Sequence, residues 1–151
     1  MLPIRVILAP IDFSPHSGAV LDWAVALAKA FGARIHLLHS YGIPVRGVMP
    51  YDFTVPDGVW DGIGKEAETK LEEMRQGVVS AGVEASSEVS PAMPSDAILA
   101  AAEQIGAELI VMGTHGHTGL KHVLLGSVAE RTIRLATCAV LTVKGASQDQ
   151  A

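Results

Sequence analysis

The chain has 151 residues, 49% hydrophobic and 18% charged, with a net charge of −5, which implies one domain over 1–151 with its own core and excludes intrinsic disorder. The acidic balance excludes general nucleic-acid binding, which wants a basic stripe. A single cysteine, Cys138, excludes a disulfide framework or a zinc ribbon and fits a cytoplasmic setting, and no apolar run is long enough to imply a membrane span or ordered like a secretory signal.

Val6-Ile7-Leu8-Ala9-Pro10-Ile11 is a compact apolar run and reads as a buried strand. Ser14-Pro15 predicts a helix start, with serine as N-cap and proline at the first helical position. Val20, Ala24, Leu27 and Phe31 follow at helical spacing, and Gly32 stands where a C-cap glycine belongs. Ile35 to Leu38 is the second strand. From Ser40 to Gly64, dense glycines and prolines predict a long loop. A helix is expected from about Lys65 to Ala81, with Ala67, Leu71, Met74 and Val78 as its stripe and Glu66–Lys70 as an i,i+4 pair.

Val83 to Val89 alternates apolar with polar residues, as a half-buried or edge strand does. Ser95 reads as the cap of a helix that buries Ile98, Ala101, Ala102 and Ile105 and closes at Gly106. Leu109 to Met112 is the fourth and most apolar strand. A glycine-rich loop follows, from Gly113 to Gly126, then a helix from Ser127 to Ala136 and a fifth strand from Ala139 to Val143. The tail 145–151 is polar and expected to fray. Trp23, Trp60, Phe31 and Leu71 read as core or loop-anchoring residues. Strands alternating with helices demand parallel pairing through right-handed crossovers, hence an open α/β fold with a five-stranded sheet.

In such sheets ligands bind beyond the carboxyl ends of the strands. The informative residues therefore follow each strand: Pro10, Ile11 and Asp12; His39, Ser40 and Tyr41; and the stretch from Gly113 to Ser127. In that last stretch glycines let backbone approach a ligand closely. Gly126-Ser127 opens a helix whose N-terminus offers free N–H groups to an anion. No carboxylate occurs between Leu109 and Ala129, whereas Lys121, His115, His117 and His122 do. This suits a phosphate; a plain β-α connection is the alternative.

Other chemistries are poorly supplied. The three loop histidines lack the i,i+4 spacing of a zinc enzyme and an acidic co-ligand, so no metal site is assigned. His36 and His39 face opposite sides of strand two, one suited to the core and the other to the cleft. Ser14, Ser127 and Cys138 are possible nucleophiles, but there is no nucleophile elbow. The Walker A pattern is absent too, and with it the usual parts for fast hydrolysis. No catalytic residue is assigned.

The spacing Gly113, two residues, Gly116, nine residues, Gly126-Ser127 resembles the ATP-binding signature of the universal stress protein family. The resemblance runs from about Pro3 to Lys144. Supporting pieces are Pro10 to Ser14, Met112 to Gly116 and Leu124 to Ala129. It implies a Rossmann-like sheet of order 3-2-1-4-5 with helices on both faces, similar to the adenine nucleotide alpha hydrolases. It also implies ATP as ligand, with Mg or Mn held through the phosphates. By the same resemblance Asp12 would hold the ribose hydroxyls, with Pro10 and Ile11 nearby. Ser40 would pack on adenine, where the family often has an apolar residue. Met112 and Gly113 would line the adenine and ribose side. Gly116, Gly126 and Ser127 would cradle the phosphates, with Val128 adjoining. The implied role is a nucleotide-dependent sensor or regulator of the stress response, with slow or no hydrolysis; a slow ATPase or phosphotransferase using the same site is the rival. A homodimer through the strand Ala139-Val143 is expected, and a regulatory protein partner is compatible with the role.

Overall fold

The computed structural model describes residues 2–43, 56, 58–115 and 125–145. Along them run β1 (Val6–Pro10), α1 (Ser17–Phe31), β2 (Arg34–Ser40), α2 (Val59–Ser80), β3 (Ala85–Ser90), α3 (Pro94–Ile105), β4 (Leu109–Gly113), α4 (Ser127–Leu135) and β5 (Ala139–Val143). The strands pair in parallel, in the order β3-β2-β1-β4-β5. The expected fold class is the one observed.

Side-chain alternation divides the central strands between two cores. Ile7, Ala9, Ile35, Leu37, Leu109 and Val111 pack with Val20, Ala24 and Ala28 of α1 and with Leu71 and Val78 of α2. Leu8, Leu38, Ile110 and Met112 pack on the other face with Ile98, Ala101 and Ala102 of α3 and Ala129 of α4. Burial on both faces is why β1 and β4 read as continuous apolar runs rather than alternating ones. Each fully buried leucine or isoleucine contributes roughly 1.5–3 kcal/mol. The strand order reverses at β1, so the connections leaving β1 and β4 diverge to opposite faces and leave a crevice between them.

Several local expectations are corrected. α1 begins at Ser17 rather than at Pro15. The Asp12 carboxylate takes the Ser14 N–H, and the Ser14 hydroxyl accepts from the His16 N–H, so Ser14 caps a turn instead of the helix. α2 begins at Val59, six residues ahead of the expected Lys65. Its inward seam extends back from Ala67 through Gly64 to Trp60, and the Tyr41 ring packs against Gly64. α3 starts with Pro94 and has Met93 at its N-cap. Ser95 sits inside the first turn, where its hydroxyl accepts from Arg131 of α4 at 2.7 Å. Trp23 and Phe31 are not core residues: they are 51% and 43% exposed on the outer side of α1. His39 and Ser40 belong to β2 itself.

The amino end of the sheet is closed by one carboxylate. Oε2 of Glu108 accepts from the backbone N–H of Val6 at 2.8 Å and of Arg5 at 3.0 Å. These two N–H groups, Val6's foremost, hold the Glu108 carboxyl below the ordinary glutamate range. A carboxyl depressed in the folded state stabilises the fold above its unfolded pKa, and that contribution is lost as pH falls through the folded value. The urea midpoint of the parent should therefore fall more steeply than that of Glu108→Gln as pH drops from about 6 to about 3. Parallel curves for the two proteins would show that the carboxylate contributes nothing.

Candidate nucleotide-binding cleft

A cleft of about 670 Å³ opens at the carboxyl end of the sheet. Its floor and walls come from the segment after β1, the ends of β2 and β4, and the first turn of α4. Nine of the ten residues named from the sequence line it: Pro10, Ile11, Asp12, Ser40, Met112, Gly113, Gly126, Ser127 and Val128. Gly116 lies outside the described residues, as do His117, Lys121 and His122.

The β1 wall is built around Asp12. Its Oδ1 accepts from the Ser14 N–H at 2.9 Å and from the Ser17 hydroxyl at 3.1 Å. This is an aspartate turn, which ties the strand end to the start of α1. Phe13, within the turn, has φ of 60° and is the one non-glycine residue with positive φ among those described. A bulky side chain adopts that conformation only when its surroundings hold it there. The Phe13 ring lies on the His39 imidazole, with centroids 4.3 Å apart and planes tilted by 35°. Lys70 of α2 places its Nζ 5.7 Å from the Phe13 centroid, and 2.9 Å from the Glu66 carboxylate as the i,i+4 spacing predicts.

The opposite wall joins β4, β5 and α4. The Thr114 N–H donates to the Val143 carbonyl at 3.1 Å, and the Gly126 N–H to the Thr114 carbonyl at 2.7 Å. Gly126 is the N-cap of α4, with extended backbone. A Cβ at this position would stand 3.2 Å from the Thr114 oxygen and 3.6 Å from the His115 Cα. Absence of a side chain thus lets the helix start press against the end of β4. Ser127 and Val128 then bring the first turn of α4 to the cleft. The first N–H groups of a helix have no partner within it and carry a partial positive charge.

The two strand-two histidines separate to opposite faces as their spacing predicts, but neither is a core residue. His36 bonds Ser86 through Nδ1 at 2.7 Å and faces the Glu88 carboxylate through Nε2 at 3.3 Å, while His39 lines the cleft. The Ser40 hydroxyl is turned to the Ala92 carbonyl, so its polar group is spent on the neighbouring turn. Cys138 precedes β5 at the other end of the sheet, and burial pushes its thiol up, away from thiolate chemistry. Sequence reasoning missed Phe13, His16 and Lys70 as lining residues. For Lys70 the only signal was its place in α2, one residue before the buried Leu71.

The sequence profile described as the universal stress protein family matches residues 3–144. The chain belongs to the universal stress protein family. Universal stress protein MJ0531 of Methanocaldococcus jannaschii is 37% identical over 144 residues, which cover 93% of this chain and 82% of that one. The solved structure of MJ0577, a universal stress protein of the same organism, superposes with a TM-score of 0.82 at 28% identity, covering 95% of this chain and 97% of that one. A universal stress protein from Archaeoglobus fulgidus, solved in complex with dAMP, superposes with a TM-score of 0.67 at 24% identity, covering 95% of this chain and all of the other. At that identity the likeness is one of fold.

Among the described residues, no helix is long and apolar enough to cross a membrane. The two solved universal stress proteins share the fold of this chain.

Proposed function

We propose that this universal stress protein binds ATP in the cleft and acts in the cytoplasm as a nucleotide-dependent sensor or regulator, with slow or no hydrolysis. One observation carries the reading: nine of the ten residues picked from the sequence for contact with ribose, base and phosphate line a single crevice. Asp12 accepts the ribose hydroxyls, with Pro10 and Ile11 beside it. Ser40, Met112 and Gly113 flank the base. Gly126, Ser127 and Val128 of α4, together with Gly116, receive the phosphates. The dAMP complex of the Archaeoglobus protein supports nucleotide occupancy at the level of fold.

Asp12 is the one carboxylate among the described lining residues. A Mg or Mn ion would therefore take its ligands mainly from the phosphates and water, the usual habit of Mg. The metal would neutralise phosphate charge. Native mass spectrometry and calorimetry test the reading: ATP retained or bound at one site per chain supports it, and no binding at millimolar ATP refutes it. Steady phosphate release would favour the rival ATPase or phosphotransferase.

The same reading includes a homodimer through β5. That strand pairs with β4 alone among the described residues. Val140, Leu141 and Thr142 are only partly buried, and Ile133 and Leu135 are exposed on the adjoining α4. An open apolar edge invites pairing with another strand, and a two-fold axis closes that pairing after two copies. Val143 turns its carbonyl to Thr114, so by strand alternation Val140 and Thr142 turn theirs outward. Thr142→Pro removes an outward donor and should yield monomer in light scattering. A parent that is already monomeric at micromolar concentration refutes the dimer.

A further inference from the structure

We propose that His39 selects the base in the cleft, favouring a purine with an amino group at its six position over one with a carbonyl. The inference rests on the nucleotide reading above and adds a specificity-determining residue to it. The geometry begins at Nδ1, which lies 2.7 Å from the Ile11 carbonyl oxygen. A carbonyl oxygen only accepts, so Nδ1 carries the proton, and in the neutral ring Nε2 is an acceptor.

Nε2 has no partner among the described residues, and it is not sealed in the interior: the one buried side-chain polar atom without a partner there is the Thr132 hydroxyl. His39 is part of the cleft lining, and Nε2 is the ring nitrogen left to offer a ligand there. Its plane is fixed from two sides. The Ile11 carbonyl pins one edge, and the Phe13 ring, held at φ of 60°, covers a face. A fixed acceptor pairs with an amino donor and repels a carbonyl oxygen. Ser40, assigned to the base side, is the next residue of β2.

The test compares ATP with inosine triphosphate by calorimetry. The parent should bind ATP roughly 3- to 10-fold more tightly, the worth of one hydrogen bond. His39→Asn keeps an amide donor for the Ile11 carbonyl and lacks Nε2, so it should bind the two nucleotides alike. A variant that retains the parent's preference, or a parent without any preference, overturns the inference while leaving ATP binding intact. A parent that binds neither nucleotide overturns the nucleotide reading itself. The ¹⁵N resonance of Nε2 in the parent covers the case of a variant that does not fold. It should move on adding ATP more than on adding inosine triphosphate, and equal movement overturns the assignment.

Discussion

Gly126→Val is expected to weaken ATP binding by roughly 10- to 100-fold, the effect of about 1–3 kcal/mol of overpacking at the phosphate end. Valine tolerates the backbone conformation, since Gly126 has φ of −70° and ψ of 162°. The difficulty is space. Its Cβ would lie 3.2 Å from the Thr114 carbonyl oxygen, the same atom that accepts the Gly126 N–H. The two γ-methyls reach further still, so the start of α4 must back away from β4. That movement shifts Ser127 and Val128, whose N–H groups are assigned to the phosphates. Gly126→Ala supplies a graded control with one methyl and a smaller loss. Calorimetry on both variants, with urea unfolding alongside, separates the loss of affinity from the loss of stability. Undiminished ATP affinity in Gly126→Val would sink the assignment of this helix start.

What could be read in the sequence follows how locally each feature is determined. β5 was expected at Ala139–Val143 and is found there. Helix ends at Gly32 and Gly106 were legible because both take the left-handed conformation that glycine permits. Helix starts were less so. Ser14 and Ser95 have the chemistry of N-caps, but Asp12 and Arg131, distant or non-helical partners, engage the surrounding groups instead. The start of α2 was hidden by Gly62 and Gly64, which in isolation cost about 1 kcal/mol each. Packing on the sheet and on Tyr41 overrides that preference. Asp12 and the Gly126-Ser127 pair were legible because they lie just beyond strands and at a helix start. Phe13 was not, because its role depends on a strained φ and on the ring of His39, 26 positions along the chain.

Asp12→Ala is expected to weaken ATP binding by about tenfold or more, because a carboxylate accepting hydroxyl hydrogen bonds contributes roughly 1.5–3 kcal/mol. The structure adds a second expected loss. Oδ1 of Asp12 also accepts from the Ser14 N–H and the Ser17 hydroxyl, and both serines are buried. Alanine leaves those donors without their acceptor, at a cost of about 1–3 kcal/mol in stability. The same turn holds Phe13 at its positive φ, so the alanine variant should also loosen the ring that lies on His39. Asp12→Asn separates the two roles. Its carbonyl oxygen can still accept from Ser14 and Ser17, so stability should stay near the parent's, while the negative charge offered to ribose is gone. The expected order of ATP affinity is parent, then asparagine, then alanine, with unfolding midpoints of parent and asparagine close together. If both variants bind ATP as tightly as the parent, Asp12 builds the turn and does not hold the ribose.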